Sequence, residues 1–144
     1  MNATIPFVVG LLICSFACNL SADTPQIRVS VQIEGEGDNA GDAHMLSALS
    51  REFRKLDGVS VTDTQPALKV LCIQDALQYQ LPSGSKVMMA YAASVAVTAA
   101  DGRLVYHLLQ TNRTIDALAH EIALALDGKL IERMRRAAEP SSSP

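Results

Sequence analysis

Tryptophan is absent from this 144-residue chain, and its aromatic side chains amount to three tyrosines and three phenylalanines. Positive charge is in short supply as well: 12 Lys and Arg stand against 15 Asp and Glu, a net charge of −3 with the three histidines neutral. Nucleic-acid binding draws on a basic patch and on aromatic platforms, so both shortages argue against it. Cysteine is scarce too. Cys14 and Cys18 lie near the N-terminus, which leaves Cys72 alone in the rest of the chain. One thiol makes no internal disulfide, so a disulfide-stapled mini-protein is excluded. Cys72 sits in the apolar run Leu68-Lys69-Val70-Leu71-Cys72-Ile73, where a buried, unreactive thiol is expected.

Charge is missing altogether before Asp23. Ile5 to Cys18 is an apolar run, and the small-residue stretch Leu20-Ser21-Ala22 follows it. That pattern predicts a signal peptide over 1–22 and a periplasmic or secreted mature protein. The run carries no Lys or Arg ahead of it, so a retained anchor is the rival reading. It is short for one, since a spanning helix needs about 20 apolar residues. Ser15-Phe16-Ala17-Cys18 also resembles a bacterial lipoprotein signal, with a small residue before the cysteine but no leucine three places ahead. Cys18 is therefore a candidate lipidation site. Membrane contact is expected only if Cys18 is lipidated or the leader is retained.

The remainder divides into a single α/β domain over 23–137 and a disordered tail over 138–144, rich in serine and proline. Ile27 to Glu34 alternates apolar and polar residues at period 2, which predicts a half-buried strand. Gly35 to Gly41 is a turn-rich loop, and Asp42 is placed to cap a helix running from Ala43 to Leu56. Gly58 stops that helix. Strands are expected at Val59–Val61, Leu68–Tyr79, Lys86–Ala99 and Arg103–Thr111, with Asp101-Gly102 as a hairpin turn. From Thr114, the spacing of Ile115, Leu118, Ile122, Leu126, Leu130 and Met134 predicts a long second helix, weakened at Gly128. The order β-α-β-β-β-β-α gives an α+β two-layer sandwich: a mainly antiparallel sheet of four to five strands with two helices on one face.

The strand over Lys86–Ala99 has two unlike faces. Val87, Met89, Tyr91, Ala93, Val95 and Val97 form the bulky one, which should meet the helices. Met88, Ala90, Ala92, Ser94, Ala96 and Thr98 form the other, and no charge stands among them. Leu71 and Ile73 on the strand before, with Val105 and Leu109 on the strand after, add apolar groups to it. One reading is an ordinary semi-exposed sheet face. The other is a surface for partner binding centred on Met88, Ala90, Ala92, Ser94 and Ala96, where small residues permit close approach.

Two stretches, Ser50-Arg51-Glu52-Phe53-Arg54-Lys55-Leu56-Asp57-Gly58-Val59-Ser60-Val61 and Ser94-Val95-Ala96-Val97-Thr98-Ala99-Ala100-Asp101-Gly102-Arg103-Leu104-Val105-Tyr106, are similar to the small α/β domains of periplasmic accessory proteins. Those are the N-terminal domain of the Tol-Pal system's β-propeller protein and related curli-secretion and penicillin-binding-protein activator lipoproteins. The resemblance implies an accessory or adaptor role.

Signatures of catalysis are lacking. His120-Glu121 has Leu124 where a metalloprotease helix carries its second histidine. His44 and Asp42 are two groups, too few for a metal site. Glu34, Glu36, Asp38 and Asp42 do not follow a calcium-loop pattern, and Gly35-Glu36-Gly37 lacks the third glycine of a dinucleotide fingerprint. No catalytic, metal or cofactor-binding residue is assigned, and no cofactor is expected. The function expected is a non-enzymatic exported domain that binds another envelope protein or associates with itself. The alternative is a small secreted enzyme drawing on His120, Glu121, His44 and Asp42.

Overall fold

The computed structural model describes residues 26–34 and 39–138. The leader with Cys18, the loop at 35–38 that holds Glu36 and Asp38, and the tail at 139–144 lie outside the described residues. The expectations attached to them are not addressed by the fold.

Five strands form one sheet: β1 (Ile27–Glu34), β2 (Val59–Val61), β3 (Leu68–Gln80), β4 (Lys86–Ala99) and β5 (Leu104–Asn112). Their spatial order is β2-β1-β3-β4-β5. Helix α1 (Asn39–Arg54) follows β1. Helix α2 (Ile115–Leu126) follows β5 and runs through a π turn (Asp127–Ile131) into α3 (Glu132–Ala138). The expected α+β sandwich is present, with all five strands in one sheet. The β3–β4 and β4–β5 pairs are antiparallel, whereas β1 lies parallel to both of its neighbours. Val61 and Leu68 both stand level with Val29. The chain therefore steps across β1 through residues 62–67 without running back, which lets two parallel strands be joined by so short a link.

The period-2 pattern sets the two faces. Ile27, Val29 and Val31 of β1, Leu68, Val70 and Cys72 of β3, and Ala93, Val95 and Val97 of β4 are buried against Met45, Leu49 and Phe53 of α1 and Leu118, Ile122 and Leu126 of α2. Burying each of the larger side chains stabilises the fold by about 1.5–3 kcal/mol. Gly58 takes φ +67 just past α1 and Gly102 takes φ +83 in the β4–β5 turn, conformations that a Cβ would strain. Thr114 caps α2, its Oγ1 accepting from the Ala117 amide at 3.2 Å.

Four local expectations need correction. The β3–β4 register shifts between Leu77 and Gln78, which leaves Met89 without a cross-strand partner and sets Met88 opposite Gln78 and Val87 opposite Tyr79. The bulge turns Met88 off the open face, and Val87 and Met89 do not meet the helices but stay 46% and 62% exposed. Helix α1 starts at Asn39, so Asp42 lies in its first turn, where it favours the helix dipole instead of capping it. A register shift in β5, opposite Val97/Thr98, moves Val105 to the helix side, where it packs on the core, and leaves Leu104 59% exposed. A bulge of this kind switches which side chain faces which side. Finally, the π turn makes the step from one buried position to the next five residues, from Leu126 to Ile131, so Ile131 takes the fully buried place and Leu130 is only partly buried. An i→i+5 turn advances the helix by one extra residue, and the regular spacing read from the sequence misses that step.

Candidate functional site: the open face of the sheet

Both helices pack on one side of the sheet, so its other side is bare among the described residues. Ala90, Ala92, Ser94 and Ala96 lie on this open face, along the centre of β4, whereas Met88, set opposite Gln78 beyond the register shift at Met89, does not. Their cross-strand partners give the walls: Leu71 faces Ala96, Ile73 faces Ser94 and Leu77 faces Ala90 on β3, while Leu109 faces Ser94 on β5. Small side chains run down the middle and larger apolar ones stand on either side. Ile73 and Leu77 are 49% and 43% exposed, and Leu109 is 70% exposed. Polar groups are few. Ser94 Oγ and His107 Nε2 share a hydrogen bond of 3.0 Å, which satisfies both groups within the face. Asp75 opposite Ala92 and Lys69 opposite Thr98 are its charges from β3.

Beyond Ile73, β3 loses its pairing with β1, and before Tyr91, β4 has none with β5. The β3–β4 hairpin therefore projects as a two-stranded arm, closed by the turn at 81–85. It exposes Tyr79, Val87, Met88 and Met89. Where β5 stops against this arm, Leu77, Met89, Ala90, Thr111, Asn112 and Arg113 line an open depression.

The acid–base candidates are placed elsewhere, on the helix layer, and each is engaged in holding elements together. His120 Nδ1 donates to Glu52 Oε2 at 3.0 Å. The same carboxylate group accepts from Lys55 Nζ at 2.6 Å and from Arg51 Nε at 3.4 Å. With Lys55 first and His120 next, these donors hold the Glu52 carboxyl down at about 2, against the burial that would raise it. Arg51 Nη2 also donates to Asp116 Oδ1 at 2.7 Å, and His44 Nε2 lies 3.2 Å from Asp116 Oδ2. Arg51 and His44 keep that acid below its ordinary value. Glu121 accepts from Gln110 Nε2 at 2.6 Å and Asn112 Nδ2 at 2.9 Å, tying α2 to β5. Asp42 Oδ1 accepts from Gln74 Nε2 at 3.3 Å. The sequence reading missed Glu52, whose flanking Arg51, Arg54 and Lys55 suggest an exposed helix face. A base oriented by a buried carboxylate is half of a catalytic arrangement, but His120–Glu52 has no nucleophile among its recorded partners, and Lys55 already neutralises the acid. No group of three or more potential metal ligands occurs among the described residues.

Cys72 is fully buried, and burial pushes its thiol up to about 12. Among the described residues, no helix is long and apolar enough to cross a membrane.

The chain is thus an α+β sandwich with one sheet face bare among the described residues. No protein-family model matches it, and no curated protein sequence does. Among solved structures, a PelC variant dodecamer from Paraburkholderia phytofirmans is similar, with TM-score 0.50 and 11% identity over 72% of this chain and 87% of that one. A second PelC dodecamer from the same organism gives TM-score 0.49 and 13% identity over 71% and 87%. A PDZ domain protein from Parabacteroides distasonis gives 0.42 and 9% over 70% and 32%. At these identities the first of the three shares the fold.

Proposed function

We propose that this chain is an exported, non-catalytic accessory domain that works by binding another protein of the cell envelope through the open face of its sheet. The observation that carries this reading is the trough of Ala90, Ala92, Ser94 and Ala96 between Leu71, Ile73 and Leu77 on one side and Leu109 on the other. A low, weakly charged floor with apolar walls suits a complementary surface better than it suits water. The apolar leader ahead of Asp23 supports export, and Cys18 would supply a lipid anchor if it is processed. The likeness to periplasmic accessory domains points the same way. So does the fold shared with a PelC chain solved as a dodecamer, in which a protein of this shape is a part of an assembly.

The enzyme reading is weaker because His120, Glu121, His44 and Asp42 each have a structural partner. The two readings are separated by capture from the cell envelope. One envelope protein should be retained by the wild type and by His44→Ala and His120→Ala, and should be lost with Ala92→Arg and Ala96→Arg at unchanged thermal stability. The same protein, once purified, should bind with the same pattern. Retention by both arginine variants would remove the open face from the account.

A further inference from the structure

The two edges of the sheet are guarded unequally. β2 is three residues long and is followed at once by the turn leading to Pro66, the kind of short edge that resists pairing. β5 forms the other edge and is nine residues long. Its sequence, Leu-Val-Tyr-His-Leu-Leu-Gln-Thr-Asn, contains no Lys, Arg, Asp, Glu or Pro. Its one irregularity lies at the hairpin end. From Tyr106 to Asn112 the strand is in unbroken register with β4. Among the described residues, no strand occupies its outer side. Seven regular residues at about 3.4 Å each make a straight edge of about 24 Å. Along it, about every second residue turns both its N–H and its C=O outward.

The midpoint of Tyr106–Asn112 is Leu109. It is also the most exposed of the large hydrophobic residues among those described, at 70%. We propose that two copies of this chain pair their β5 strands antiparallel about a two-fold axis at Leu109, joining two five-stranded sheets into one of ten strands. Leu109 then meets Leu109 of the second copy, Tyr106 meets Asn112, His107 meets Thr111, and Leu108 meets Gln110. An antiparallel pair of identical strands is self-complementary, so a second copy supplies a partner of matching length with no charge to bury. The pairing also makes the two open faces continuous, with the paired Leu109 side chains between their troughs. This inference rests on the binding-module reading and names a second copy as one occupant beside the trough.

Analytical ultracentrifugation of the purified protein across a concentration series tests it. The wild type should be a dimer at micromolar concentration. Leu109→Lys puts two like charges opposite each other and should weaken the dimer at least about tenfold. At its exposed position it should leave the thermal midpoint unchanged when both proteins are diluted to monomers. With Cys14 and Cys18 replaced by serine, Leu109→Cys should cross-link to itself under mild oxidation, and Thr111→Cys, opposite His107, should not. Equal cross-linking of the two variants, or a monomer up to about 100 μM, would overturn the proposal. So would a dimer that resists Leu109→Lys but is lost with Ala92→Arg, because that result means faces stack. A monomeric protein that still captures its envelope partner would overturn the edge pairing alone and leave the binding module standing.

Discussion

Glu52 of α1 and His120 of α2 meet across the helix pair at 3.0 Å, and the Glu52 side chain is only 6% exposed beneath His120, Arg51 and Lys55. The carboxylate is held in its charged form by donors from both helices. Residues that look like separate surface charges in the sequence therefore form one seam that fastens α1 to α2.

That seam sets a pH dependence. The folded Glu52 carboxyl sits at about 2, below its ordinary 4.5. A depressed acid contributes stability that is present in full above the unfolded value and is lost as pH falls through the folded one. Glu52→Gln should therefore cost about 1–2 kcal/mol at pH 7, with the lower end set by solvent screening of the exposed cations. The difference from wild type should shrink between pH 4.5 and pH 2. Urea unfolding of both proteins at several pH values measures it. A gap that stays constant down to pH 2 would mean that the charge of Glu52 is not what matters.

Gly128 lies in the π turn with ordinary helical φ, and a Cβ built there meets nothing within 4 Å. Gly128→Ala should stabilise the protein by about 0.5–1 kcal/mol, since it removes backbone freedom from the unfolded chain without a clash. Gly102→Ala meets equally open space but at φ +83, so it should destabilise instead. Thermal midpoints of the two variants should move in opposite directions.

Much of this fold is legible from patterns that a single strand or helix carries alone. The alternation over Lys86–Ala99 assigns Ala93, Val95 and Val97 to the core side, and Asp101-Gly102 marks the turn between β4 and β5. What escapes are features set by two elements at once. The parallel seat of β1 between β2 and β3 depends on Val61 and Leu68 reaching the same level beside Val29. The exchange of Val105 for Leu104 depends on a bulge against Val97, and the burial of Ile131 depends on the π turn. Glu52 reads as solvated because its partner His120 is 68 residues away in the chain. The small residues of the open face are visible in β4 itself, but the walls around them appear only once the strand register is known.

Cys72 offers a probe of opening. Its thiol is fully buried and raised to about 12, so almost no thiolate exists in the native state at neutral pH. In a chain with Cys14 and Cys18 replaced by serine, iodoacetamide should label Cys72 only through opening of the fold. The labelling rate should rise in step with urea as the unfolded fraction rises. Fast labelling in native buffer would show that β3 opens locally on its own.

Ala92 and Ala93 are adjacent in β4 and belong to different environments. Ala93 is 1% exposed beneath the helix layer, whereas Ala92 lies on the open face between Asp75 and Thr111. The same substitution should therefore have two outcomes. Ala93→Arg forces a guanidinium into packed hydrocarbon with no acid recorded as its partner, a change that should cost more than about 3 kcal/mol and unfold the domain. Ala92→Arg extends into solvent beside Asp75 and should shift stability by less than about 0.5 kcal/mol. Circular dichroism melts of the two variants compare them directly. If Ala92→Arg melts as low as Ala93→Arg, something already covers the open face, and a loss of binding by that variant would report unfolding instead of a blocked surface.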